Sequence, residues 1–198
     1  MKSIRETTEN KLIIKKSSFI CTLIPCDNPN NANEIIKHHK EKYFDANHNC
    51  SAYIVNGHEK ANDDGEPSKT AGMPMLNVLQ KQELTNIIAI VTRYFGGIKL
   101  GAGGLTRAYT QSVAEALKVA TIVEKQPINV YQLTLDYTHT RKFEHLCKMN
   151  HIMIENIEYL DQVNYVCYIK DETFFDLIQD LTNNQYQRKF IHQVYIEV

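Results

Sequence analysis

Outside the stretch from Ala61 to Tyr109 the chain has a single glycine, Gly57; the other seven of its eight lie inside that stretch. Glycine is chosen where the backbone needs φ > 0 or must approach something closely, so unusual turns are confined to one segment. No run of about 18 apolar residues occurs, which excludes a membrane-spanning helix. No CxxC pair occurs either, and the five cysteines (Cys21, Cys26, Cys50, Cys147, Cys167) are odd in number and scattered. That argues against a structural zinc site and a disulfide framework, and for reduced thiols. Met1-Lys2-Ser3-Ile4-Arg5-Glu6 leads into polar sequence rather than a signal peptide, so a cytoplasmic protein without membrane contact is expected. Internal repeats and low-complexity tracts are absent. Nor is there a strong charge of one sign: the formal net charge is −1. Residues 1–125 carry 16 Lys and Arg against 13 Asp and Glu, net +3, and residues 126–198 carry 6 against 10, net −4. Any basic footprint for nucleic acid therefore belongs to the first part.

The glycine-bearing stretch reads as loop, helix, strand, loop, helix. Asn62-Asp63-Asp64-Gly65-Glu66-Pro67 is turn chemistry, and Met75, Leu76 and Leu79 give a short helical stripe. Ile87 to Val91 is a continuous apolar run, the pattern of a strand buried on both faces. A loop rich in glycine follows, and a helix is expected from about Leu105 to Val123. A glycine loop between a buried strand and a helix offers backbone N–H groups at the positive end of the helix dipole. Arg93, Lys99 and Arg107 flank it, so Arg93, Lys99, Gly101, Gly103, Gly104 and Arg107 form a candidate site for an anion or for nucleic acid. The spacing fits neither the Rossmann fingerprint nor the Walker loop, because Gly101 is followed by Ala102. Close packing of strand on helix is the competing explanation of these glycines.

Asp63, Asp64 and Glu66 place three carboxylates within four residues. They suit a divalent cation, the backbone amides of the following helix start, or ion pairs with Arg93 or Arg107. The spacing is not that of an EF-hand, and a role supporting the anion site is preferred to a metal site. His48 and Cys50 share one face of the strand expected over residues 47–55. Such a pair can make an activated nucleophile, although packing in the core is the simpler reading. No metal and no cofactor is expected.

Elsewhere in the first part, residues 11–26 read as one or two strands bent at Lys15-Lys16-Ser17-Ser18, and Ile35, Ile36, His39 and Tyr43 follow helical spacing. Gln126-Pro127 is taken to end the helix that begins near Leu105, because proline cannot extend a helix and restricts its predecessor. This divides the chain into residues 1–126 and 127–198. The second part reads strand (130–137), helix (139–150), two strands (151–160 and 163–170), helix (173–181) and strand (189–198). That order, βαββαβ, is the ferredoxin-like plait. The fold class is therefore α+β.

Asp63-Asp64-Gly65-Glu66-Pro67, Thr70-Ala71-Gly72, Thr92-Arg93-Tyr94-Phe95-Gly96-Gly97 and Lys99-Leu100-Gly101 with Gly103-Gly104-Leu105 together resemble the Impact family. Asp45, His48 and Cys50 sit in a similar D-A-x-H-x-C segment. The resemblance covers nearly all of the first domain and, more loosely, the last third. It implies an N-terminal Impact-type domain folded like the second domain of a small-subunit ribosomal protein, a mixed sheet with helices. It implies a C-terminal domain like the last domain of elongation factor G. It also implies translation regulation. Two functions follow as expectations. One is a non-catalytic binding protein that holds RNA phosphate, the ribosome or a translation-associated protein, with Tyr94 and Phe95 as candidates for base stacking. The other is an enzyme acting on a small phosphorylated or carboxylated ligand in the same cleft, with acid–base chemistry from the acidic loop or His48. No kinase motif is present, although GHMP kinases also hold phosphate with a glycine-rich loop at a helix start.

Overall fold

The computed structural model describes residues 1–197. It divides into two compact units, Met1–Glu124 and Lys125–Val198.

The first unit runs β1 (Lys2–Ile4), β2 (Thr8–Ile14), β3 (Ser17–Pro25), α1 (Pro29–Lys42), β4 (His48–Val55), β5 (His58–Asn62), α2 (Gly72–Lys81), β6 (Ile87–Tyr94) and α3 (Ala102–Val119). Its sheet has the order β2-β3-β6-β4-β5. The resemblance implied a mixed sheet, but every pairing along this order is antiparallel. β6 is central, and every residue from Ile87 to Arg93 is buried. Its residues serve two cores alternately. Ile87, Ala89 and Val91 pack with side chains of α2 and α3, while Ile88 and Ile90 pack with Ala32, Ile35 and Ile36 of α1. The apolar run thus records helices on both faces.

Tight turns set the register. Lys15 and Lys16 both take positive φ (46° and 67°) between β2 and β3, and Asn56 and Gly57 (48° and 76°) join β4 to β5. Two left-handed residues in a row match the twist of a hairpin. The Asn28 side chain accepts from the Asn30 amide at 3.0 Å, and Pro29 opens α1, the preferred chemistry of a helix start.

The helix expected over 105–123 is displaced. α3 already begins at Ala102, so Gly103 and Gly104 lie in its first turn rather than in a loop. It stops at Val119, and the β-branched residues after it open β7 (Ile122–Leu135). Pro127 therefore ends no helix; it lies within β7, opposite Tyr195 alone, because the pairing with β9 (Val163–Ile169) starts only at Asn129. A missing amide is tolerated where the strand has a neighbour on one side only.

In the second unit, β7 continues into α4 (Thr140–Met149), β8 (Met153–Tyr159), β9, α5 (Phe174–Thr182) and β10 (Tyr186–Glu197). The order β10-β7-β9-β8, antiparallel throughout, is that of the ferredoxin-like plait. Val163, Tyr165, Cys167 and Ile169 of β9 alternate into one core with Phe143 of α4 and Phe174 and Ile178 of α5. Val198, the last residue of the strand expected over 189–198, lies outside the described residues. Among the described residues, no helix is long and apolar enough to cross a membrane.

Candidate functional site

The end of β6 delivers Arg93 into the first unit. This side chain is only 5% exposed, and its Nη1 donates to Glu66 Oε1 at 2.5 Å. The guanidinium stands 5.4 Å from the Phe19 ring and 5.7 Å from the Phe95 ring. Its Nε, also buried, has no hydrogen-bond partner among the described residues. Arg93 is thus half committed: it neutralises Glu66 and retains an unused donor.

The loop after β6 is fixed from the side. The Phe95 amide donates to Asn47 Oδ1 at 2.8 Å and the Gly96 amide to Ser17 Oγ at 3.1 Å. A Cβ on Gly96 would overlap the backbone of Lys16 and Ser17, so glycine is required there for close approach. These first two amides are therefore unavailable to a ligand. Gly101 is different. It sits at φ +72° as the N-cap of α3, a conformation that favours glycine, and it provides no side-chain cap. Its carbonyl takes the Leu105 amide at 2.9 Å, while the amides of Ala102, Gly103 and Gly104 have no acceptor among the described residues.

Glu66, Arg93, Lys99, Gly101, His48 and Phe95 line one cavity of about 400 Å³. Lys99 is solvent-exposed; Glu66 is buried in the wall. Glu66 Oε1 also accepts from the Tyr109 hydroxyl at 2.8 Å, and Oε2 faces His48 Nε2 at 3.9 Å. His48 Nδ1 lies 2.8 Å from the Asp64 carbonyl oxygen, which only accepts. Nδ1 therefore carries a proton, and in the Nδ1–H tautomer Nε2 is an acceptor within the pocket.

The other two acids do not line the cavity. Asp63 accepts the amides of Lys69, Ala71 and Gly72 at 2.7, 3.0 and 2.9 Å, so it caps the start of α2. Burial alone would raise its carboxyl, but these amides together hold it below the usual carboxylate range. Asp64 takes Lys40 Nζ at 2.5 Å and the Asn49 amide at 2.6 Å. Arg107 is exposed and outside the cavity wall. Among the described residues, no group of three or more His, Cys, Asp or Glu is placed to hold a metal ion.

Cys50 is a core residue. Its thiol donates to the Asp63 carbonyl (3.0 Å) and contacts the Tyr109 hydroxyl (3.3 Å), and burial pushes its pKa up to about 12. A nucleophile needs the thiolate; the burial and partners of this thiol fit packing in the core. The same burial, together with Cys50 and Glu66 beside it, pushes the Tyr109 hydroxyl well above its ordinary range.

The profile of the Impact N-terminal domain matches residues 15–117, and that of a domain of unknown function (DUF1949) matches residues 133–185. The IMPACT family member YvyE of Bacillus subtilis (strain 168) is 41% identical over 201 residues, covering 98% of this chain and 93% of its own length. The chain belongs to the Impact family. A second IMPACT family member, from Haemophilus influenzae, is 33% identical over 183 residues and covers 90% of this chain and 89% of itself. A crystal structure described as that of a hypothetical protein aligns with a TM-score of 0.72 at 30% identity, over 96% of this chain and 97% of that one.

The Impact-type profile contains every residue of the cavity wall named above. Arg93, Lys99, Gly101 and Glu66 were legible as site residues in the sequence, and His48 was legible as a candidate acid–base group of the same cleft; Asn47, Pro67, Leu100, Ala102 and Leu105 complete the lining. The alternation along β4 pointed His48 to the same face as Cys50; its position at the open end of the strand, rather than its spacing, puts it in a pocket.

Proposed function

We propose that this Impact-family chain is a non-catalytic binding protein of the translation system that takes a phosphate of RNA in the cavity beside α3. The observation carrying this reading is the basic lining of the cavity beside an uncapped helix start. The first-turn amides of α3 have no cap, Lys99 is free on the wall, and the buried Arg93 keeps an unpartnered Nε. Glu66, the one carboxylate on the wall, is offset by Arg93, so the balance of the cavity is positive. Helix N-termini with neighbouring basic groups hold phosphate by the same chemistry.

The test is RNA and ribosome co-sedimentation across a salt series. Lys99→Ala should weaken binding and reduce the log–log salt slope by about 0.7, the value for one phosphate contact on a single strand. Arg107→Ala, outside the cavity, should leave both unchanged. Wild-type behaviour of Lys99→Ala would overturn the reading, and ribosome binding that ignores both salt and Lys99 would assign the surface to a protein partner instead.

A second reading has its own observation: His48 Nε2 and Glu66 Oε2 stand 3.9 Å apart within the cavity. An acid–base pair next to an anion-binding corner suits an enzyme acting on a small phosphorylated or carboxylated ligand. Thermal shift with mononucleotides separates the two: a large stabilisation lost in His48→Ala favours the enzyme, and no response favours the RNA-binding module.

A further inference from the structure

The cavity beside α3 is not uniformly cationic. One part of the lining carries free donors, namely Lys99 and the Ala102 amide at the uncapped start of α3; another carries two acceptors with nothing to accept. His48 Nε2 has its ring fixed by the bond from Nδ1 to the Asp64 carbonyl, and Glu66 Oε2 has only that imidazole beside it at 3.9 Å. A bare phosphate would satisfy the first side and be repelled by the second. A group that is anionic at one end and donates a hydroxyl proton at the other would satisfy both. At about 400 Å³ the cavity falls at the small end of ligand pockets and suits one such unit. Phe95, 47% exposed on the same wall, adds an apolar face backed by the Arg93 guanidinium at 5.7 Å.

We propose that the pocket receives one ribonucleotide of a single strand and reads its sugar. The phosphate lies on the Ala102 amide and Lys99, the base lies against Phe95, and the 2′-hydroxyl donates to His48 Nε2 with Glu66 Oε2 beside it. This rests on the RNA reading above and adds to it a specificity-determining residue, His48. A hydroxyl that fills a polar site gives discrimination that charge alone cannot, because a deoxyribose leaves the acceptors facing a CH₂ group. Base stacking on an exposed aromatic ring requires an unpaired strand.

The experiment is fluorescence anisotropy with oligouridylate, its 2′-deoxy counterpart and its 2′-fluoro counterpart at equal length and salt. Wild type should favour the ribose strand by about tenfold, the scale of one hydrogen bond to a partly exposed acceptor. The 2′-fluoro strand, which lacks the donor, should bind like the deoxy strand. His48→Leu should abolish the preference, so that the ribose and deoxy strands bind alike. Because the 2′-fluoro comparison uses the unaltered protein, a folding defect in the variant does not remove the test. Equal binding of all three strands with Lys99 dependence intact would overturn the sugar inference alone. Ribose preference surviving in folded His48→Leu would do the same. No binding of any strand, or binding indifferent to Lys99→Ala, would overturn the RNA reading and this inference together.

Discussion

Among the described residues, buried polar and charged side chains belong almost entirely to the first unit; Thr182 is the one exception. The first unit buries Glu66, Arg93, His39, Asn49 and Thr92, several of them in chains of hydrogen bonds. The second buries aromatic and aliphatic groups: Phe143, Tyr165, Phe174 and Ile178 around β9. The glycines follow the same division, since residues after Gly104 include none. The second unit thus meets the simplest rule for a stable domain, apolar alternation on one sheet face. The first departs from that rule at several places, and at one of them Glu66 and Arg93 line a cavity. Buried polar networks are costly unless satisfied, and departures from the apolar pattern concentrate where function resides.

The contrast is broken most directly by removing Glu66. Glu66→Ala strands the Arg93 guanidinium in a site where both side chains are nearly inaccessible. Loss of one partner from a buried pair costs about 3–5 kcal/mol. A comparable polar deletion in the second unit, Tyr165→Phe, removes only the bond to Glu144 at 3.0 Å and should cost about 1 kcal/mol. Urea unfolding read by amide exchange, which reports each unit separately, checks both values. Equal costs would mean that the Glu66 and Arg93 pair is no more than a surface contact.

Acid should separate the units next. His39 is 7% exposed, and its Nε2–H donates to Thr92 Oγ1 at 3.0 Å, since the Thr92 hydroxyl is itself donated to Asn49 Oδ1 at 2.7 Å. Burial, reinforced by nearby Lys42, lowers its pKa to about 4. The unfolded chain takes up this proton near pH 6.5 and the folded chain near 4, so stability is full above 6.5 and falls as pH drops between the two. The loss approaches about 2–3 kcal/mol by pH 4. Asp63, held below the ordinary carboxylate range, extends the trend to lower pH, because its stabilisation is lost as its carboxyl protonates. The second unit has no buried histidine among its described residues, and its protection between pH 6.5 and 4 should change less. Parallel loss in both units would contradict the assignment to His39.

Gly96→Ala comes next. Its Cβ meets the backbone of Lys16 and Ser17 rather than a movable side chain. Overpacking of this kind costs about 1–3 kcal/mol. The shift should appear in the turn at Lys15 and Lys16 before it reaches the β6 core, as loss of exchange protection there. Wild-type stability would show that the loop yields freely and that glycine is dispensable at this position.

The same division explains what could be read in advance. Ile87 to Val91 announced a two-faced strand, because burial on both faces writes itself directly into an unbroken apolar run. β5 was hidden: His58 to Asn62 lies at the sheet edge, mostly exposed, and only Asn56-Gly57 marked the hairpin. The first turn of α3 was hidden because Gly101, Gly103 and Gly104 have poor helix propensity, and tertiary packing overrides it. The other end was misplaced because Ala116 and Ala120 continue a helical stripe, while Thr121-Ile122-Val123 carried the strand signal. In the site, the loop residues could be picked out by composition. The pairing of Arg93 with Glu66, 27 positions apart, could not be chosen over Arg107, since it depends on where β6 ends relative to the acidic loop.

The smallest expected effect has the opposite sign. Gly103 lies in the first turn of α3 with ordinary φ, and a Cβ there would meet nothing within 4 Å. Neither a tight turn nor a close approach requires glycine at this position. Alanine restricts the unfolded chain more than glycine does and suits a helix better, so Gly103→Ala should stabilise the first unit by about 0.5–1 kcal/mol. The main-chain amide is retained and Gly103 is outside the cavity wall, so RNA affinity should hold within about twofold, under half a kcal/mol. Chemical denaturation and the anisotropy titration on one variant check both. Stabilisation with a large loss of affinity would mean that the ligand comes closer to the helix than Lys99 and Gly101 indicate, making the absence of a side chain at 103 part of the site. Destabilisation would mean that the first turn of α3 is held open by something other than its own backbone, and the division between glycines that shape the loop and glycines that merely occupy it would fail at its simplest position.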